Sequence, residues 1–206
     1  MQLPITPDSL HRIFGPAAFE PGLFYANAPA LRFELSQHGS SIDLFTQAFD
    51  RAREILRYVF RDSASLVVVF VYFGSGLPIR HLSVFRSLRE CGIRLQRPWT
   101  CWAEVYGADF EPEQRTFVAF RISVAALDRI LWGALAADFN IHPKLQCRAY
   151  IADPELGILA HPYDDRGMDV IGPNRELLAE IFHRYRDYLL GYDLPRMEEF
   201  FASASA

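Results

Sequence analysis

The chain has 206 residues, 50% of them hydrophobic and 22% charged, with 17 phenylalanines; this is enough apolar surface for one sizeable core and excludes intrinsic disorder over most of the length. Its 21 basic and 25 acidic residues leave a net charge of −4, and Lys144 is the one lysine among the basic residues. No run of basic residues occurs and the longest apolar stretch, 66–73, is far short of a bilayer span, so a general nucleic-acid binder, a membrane-surface binder and a transmembrane helix are all disfavoured.

In chain order, Thr6-Pro7-Asp8-Ser9 places a capping residue before a proline at the first helical position and predicts a short helix to Phe14, stopped at Gly15-Pro16. An irregular stretch follows. Leu31 to Leu35 alternates apolar and charged residues as a half-buried strand does. After Gly39-Ser40-Ser41, apolar residues from Phe45 to Phe60 recur at three- and four-residue steps opposite Asp50, Arg51, Arg53, Glu54 and Arg57, the pattern of an amphipathic helix.

Leu66 to Phe73 is a β-branched and aromatic run of strand length, expected at the centre of a sheet and covered on both faces. A shorter helix is expected over 79–90, with Gly92 just beyond it. Residues 99–106 and 116–123 read as a hairpin, and Val124 to about Asp138 as a helix. Strands follow at 147–152, 158–163 and 168–171, the last two joined by the tip Asp164-Asp165-Arg166-Gly167. Asn174 caps a helix whose stripe runs on through Tyr185, Tyr188 and Leu189 to Gly191, and Asp193 opens a final short helix before a frayed tail at 202–206. The rhythm is not that of a doubly wound sheet. It predicts a single α+β domain over 1–206, with a mixed or mainly antiparallel sheet and about four to five helices.

The first 22 residues are proline-rich and lack the basic and apolar order of a signal peptide. Cys91, Cys101 and Cys147 are odd in number and widely spaced, which fits buried free thiols in a cytoplasmic protein better than disulfides or a metal knuckle. The arginines lie scattered among acidic neighbours, and no arginine-rich patch is evident in the sequence.

The densest polar cluster is His161, Tyr163, Asp164, Asp165, Arg166, Gly167 and Asp169. Its carboxylates could hold Mg²⁺ or Ca²⁺, or supply an acid/base pair with His161. Adjacent aspartates do not follow the alternate spacing of a calcium loop, and Asp and Gly also build tight turns, with Arg166 free to brace a carboxylate. Elsewhere, Gly74-Ser75-Gly76 lacks the residues of a phosphate loop or a nucleophile elbow, and the six histidines form no zinc pair. Tyr185, Tyr188 and Tyr192 would suit a partner surface if exposed.

The segment His161 to Gly172, the helix ending Tyr185-Arg-Asp-Tyr-Leu-Leu-Gly-Tyr-Asp193, and the opening Leu23-Phe-Tyr with Leu31-Arg-Phe-Glu-Leu35 resemble a bacterial family, domain of unknown function 3885, over about 23–201. The resemblance singles out the Tyr-Asp-Asp-Arg-Gly motif and implies no activity. Together these features favour a non-catalytic protein-binding module without a cofactor or bound metal. Its expected partner is another, basic protein, as for an antitoxin or immunity protein. The alternative is a metal-dependent hydrolase or phosphate-ester enzyme using the hairpin 161–169.

Overall fold

A computed structural model describes residues 5–74, 78–106 and 113–202. Seven strands form one sheet: β1 (Ala30–Glu34), β2 (Ser65–Phe73), β3 (Trp99–Tyr106), β4 (Glu113–Ser123), β5 (Arg148–Asp153), β6 (Ile158–Asp164) and β7 (Gly167–Ile171). Their order is β1-β7-β6-β5-β2-β4-β3 and every pairing is antiparallel, so the mixed option falls away. The apolar run predicted as a central strand is β2, flanked by β5 and β4 and buried from Leu66 to Tyr72.

The described residues carry seven α-helices rather than four to five: α1 (Pro7–Phe14), α2 (Leu23–Ala26), α3 (Ser41–Val59), α4 (Pro78–Glu90), α5 (Leu127–Leu135), α6 (Arg175–Arg184) and α7 (Leu194–Ala202). One of them, α2, is a single turn, too short to leave a periodic signal. The starts at Thr6 and Asn174 are capped as expected, and Ser40 adds a cap beyond those expected. The Thr6 and Ser40 side chains each close a capping box with the residue three further on, and Asn174 accepts from the Leu177 N–H at 3.1 Å. Helix α6 stops at Arg184, short of the predicted stripe. Beyond it Leu189 bridges Phe33 and the Leu190 N–H donates to the Arg32 carbonyl at 2.9 Å, so pairing along β1 overrides the helical periodicity of 185–189.

Antiparallel register decides which side chains share a face. Arg32, Asp169, Val69, Ala119 and Thr100 fall on one face, and His161 and Tyr150 join them between Asp169 and Val69. Residues 5–22, expected as a proline-rich lead-in, cover this face together with α2. Phe19 meets the rings of Trp102, Phe117 and Tyr150; the buried Arg115 guanidinium donates to Glu20 at 2.6 Å and Glu104 at 3.1 Å; and the Thr100 hydroxyl donates to the Ile5 carbonyl. On the other face, Val68, Phe70, Phe120, Ile151 and Ala160 pack into the core formed with α3, α5 and α6.

Candidate functional site

The motif lies at the β6–β7 hairpin, where a bulge between Pro162 and Asp164 swings Tyr163 across Gly167. A Cβ on Gly167 would sit 2.0 Å from the Tyr163 hydroxyl and 2.8 Å from the Phe33 carbonyl oxygen, so this position admits no side chain without a shift of backbone. Asp164 closes the turn: its carboxylate accepts from the Arg166 N–H at 2.8 Å and from Arg166 Nε at 3.0 Å. Asp165 accepts from the Ser36 hydroxyl at 3.3 Å, and burial raises its carboxyl above the usual range.

Asp169 takes a third direction. It is 1% exposed and accepts from Arg32 Nε at 2.7 Å, Arg32 Nη2 at 2.9 Å and the Phe24 N–H at 3.1 Å. The Arg32 guanidinium lies over the rings of Phe24, Tyr25 and Tyr163, 4.6 to 5.7 Å from their centroids. Burial opposes its charge, yet the bidentate bond to Asp169 outweighs this and holds Arg32 more firmly protonated than usual. Asp193 directly precedes α7, where it was expected, and its carboxylate accepts from the Tyr25 hydroxyl at 3.1 Å and stands 3.7 Å from Arg32.

His161 is buried beside this pair. Its ring stacks on Tyr150 with centroids 4.1 Å apart, and Nδ1 is 2.9 Å from the Ala149 carbonyl, which fixes Nδ1 as the protonated nitrogen of a neutral imidazole. Burial pushes its pKa down to about 4, so it is a weak base at neutral pH. Burial likewise pushes the Tyr163 phenol up to about 12 and keeps it a donor. Arg32, Arg148, His161, Tyr163, Asp164 and Asp169 line a cleft of about 350 Å³, roofed by Pro21 and Gly22.

The hairpin therefore does not assemble the metal shell that the enzyme alternative requires. Asp164, Asp165 and Asp169 are committed to Arg166, Ser36 and Arg32, and the described residues contain no group of three His, Cys, Asp or Glu side chains placed to hold a metal ion. Sequence reasoning missed Arg32, Phe24, Tyr25 and Asp193 as members of this site. Arg32 carried one usable signal, a charged residue on the half-buried alternation of β1, but its partner lies 137 residues away.

The expected aromatic surface also breaks up. Tyr185 is buried against Tyr58 and Tyr188, which removes it from any partner surface. Tyr188 is half-buried beneath Arg51, and Tyr192 is exposed. Cys101, expected as a buried thiol, is exposed.

An exposed apolar surface lies instead on β3. Trp99, Cys101, Ala103 and Val105 alternate outward, with Val105 69% exposed, while Thr100, Trp102 and Glu104 turn toward residues 5–29. β3 is the terminal strand and pairs with β4 alone among the described residues. At the opposite end of the sheet, the β1 edge is covered by Leu189, Leu190 and Met197. The predicted polar hairpin loop and the Gly74 turn fall largely at 107–112 and 75–77, outside the described residues.

No helix among the described residues is long and apolar enough to cross a membrane. No curated protein and no solved structure matches the chain. One family does: its profile covers residues 6–193, beginning at the cap of α1 rather than at Leu23 and so taking in the layer over the Arg32 face. The chain belongs to the family described as domain of unknown function (DUF3885).

Proposed function

We propose that this protein is a non-catalytic binding module that receives an extended segment of another protein along β3. The observation that carries the reading is the β3 edge, unpaired on its outer side among the described residues, with its outward row Trp99, Cys101, Ala103 and Val105, which holds no charged residue. Edge strands are ordinarily blunted by charge, proline or a cover, and an added strand gains main-chain hydrogen bonds while its side chains meet such a row. The free thiols at Cys91, Cys101 and Cys147 suit a reducing, cytoplasmic setting.

Local charge refines the partner. Arg86, Arg89, Arg94 and Arg97 outnumber Glu90 and Glu104 between α4 and the end of β3, which favours an acidic or uncharged segment over the basic partner expected from the net charge of −4. An immunity protein against a basic toxin would need an acidic docking face here.

Val105→Lys tests the reading. Tagged wild-type and variant chains are expressed in the native host and their stoichiometric partners compared, with thermal melting as the check on folding. The expected result is one partner retained by the wild type and lost by Val105→Lys, with stability changed by no more than about 0.5 kcal/mol, as for an exposed substitution. Equal recovery of the same partner with both chains would overturn the assignment to β3.

A further inference from the structure

Three arginines that look scattered in the sequence converge in space. Arg89 from the last turn of α4, Arg94 from the loop beyond it and Arg129 from α5 line one cleft of about 540 Å³. Among the described residues no carboxylate lines it; its remaining walls are apolar, from Ile93, Ile122 and Ala126, with the Gln96 amide at one side. Asp128, next to Arg129, is turned away to Arg53 and Arg57 at 3.2 and 2.7 Å. Among the described residues the Arg89 and Arg94 guanidinium groups have no hydrogen bond or ion pair. Arg129 is held in place: its Nη1 donates to the Gly92 carbonyl at 3.1 Å, and its side chain lies across Gly92, where a Cβ would come within 3.5 Å of it.

We propose that this cleft binds an organic diphosphate. Three guanidinium groups without a counter-charge repel one another, and a ligand with about three negative charges neutralises them together. Arginine forks match phosphate oxygens in pairs, which a point charge on lysine would not do. A lone phosphate leaves one arginine unmatched and a carboxylate leaves two. The cleft's volume falls in the range of small-molecule sites, and its apolar wall and the Gln96 amide accommodate the organic part. An extended nucleic acid would need a track of basic residues running on beyond the cleft. Arg89 and Arg94 also add to the charge beside β3, but Val105 does not line the cleft, so Val105→Lys should bind the diphosphate as the wild type does.

Calorimetric titration at fixed ionic strength tests it, with ADP, inorganic pyrophosphate and inorganic phosphate as probes. The proteins are the full chain, Arg89→Gln, Arg94→Gln, Arg94→Lys and the surface control Arg12→Gln. ADP should bind saturably and at least as tightly as pyrophosphate, and phosphate at least about tenfold more weakly. Each glutamine variant should lose about tenfold or more in affinity, Arg94→Lys part of that and Arg12→Gln none, all with unchanged circular dichroism. Absence of saturable heat with both diphosphates, equal affinity for phosphate and pyrophosphate, or an equal loss in Arg12→Gln would overturn the proposal. So would tighter binding of a single-stranded oligonucleotide than of ADP, which would assign the arginines to nucleic acid.

Discussion

Asp164 and Arg166 are two residues apart, and their pairing was legible in the sequence because a turn is a local structure. Burial ranks the two partners, and that ranking was not legible. The Arg166 side chain is 78% exposed and water screens its charge, whereas Asp164 is buried and also accepts the Arg166 N–H. Arg166→Ala keeps that backbone bond and should cost less than about 1 kcal/mol. Asp164→Ala leaves the N–H without its acceptor and should cost about 1 to 3 kcal/mol. Urea unfolding of both variants gives the comparison; equal losses would mean that the side-chain pair, and not the backbone cap, holds the turn. Gly167 stood in the same motif, but the reason for it was hidden, since the bulge that folds Tyr163 over it depends on the pairing of β6 with β7.

Between elements, the Arg32–Asp169 pair joins β1 to β7, and the Phe24 N–H fastens α2 to the same carboxylate. Removing one partner of a buried ion pair strands the other charge, so Asp169→Ala should lose about 3 to 5 kcal/mol in chemical denaturation. The double variant Arg32→Met with Asp169→Leu should recover most of that loss by replacing charge with apolar contact. A double variant as unstable as the single one would place the cost in the lost anchoring of α2. Helix α6 shows the same dependence on neighbours: its stripe was readable from residue spacing, but its end was set by the bridge from Leu189 to Phe33.

For the molecule as a whole, His161 links folding to pH. Burial holds its folded pKa at about 4, against about 6.5 for an unfolded histidine, so below pH 6.5 the unfolded chain takes up a proton that the folded chain refuses. Its contribution is complete above about pH 6.5 and declines by about 1.4 kcal/mol per pH unit toward pH 4, about 3 kcal/mol in all. Urea midpoints measured from pH 7 to pH 4 should show this loss in the wild type and a flatter curve in His161→Asn, whose amide can still donate toward Ala149. Identical slopes would remove His161 as the source.

The sequence by itself determined the elements: caps at Thr6 and Asn174, the helical spacing from Phe45 to Phe60, the buried run of β2 and the turn at Asp164. Each of these is written in residues a few positions apart, within reach of one turn or one strand. Only the tertiary structure decided that residues 5–29 cover one face, that Arg32 meets Asp169, that β1 is sealed while β3 pairs with β4 alone among the described residues, and that Arg89, Arg94 and Arg129 share a cleft. Those relations follow from antiparallel register and from packing between elements far apart in the chain, and periodicity within one element carries no information about either.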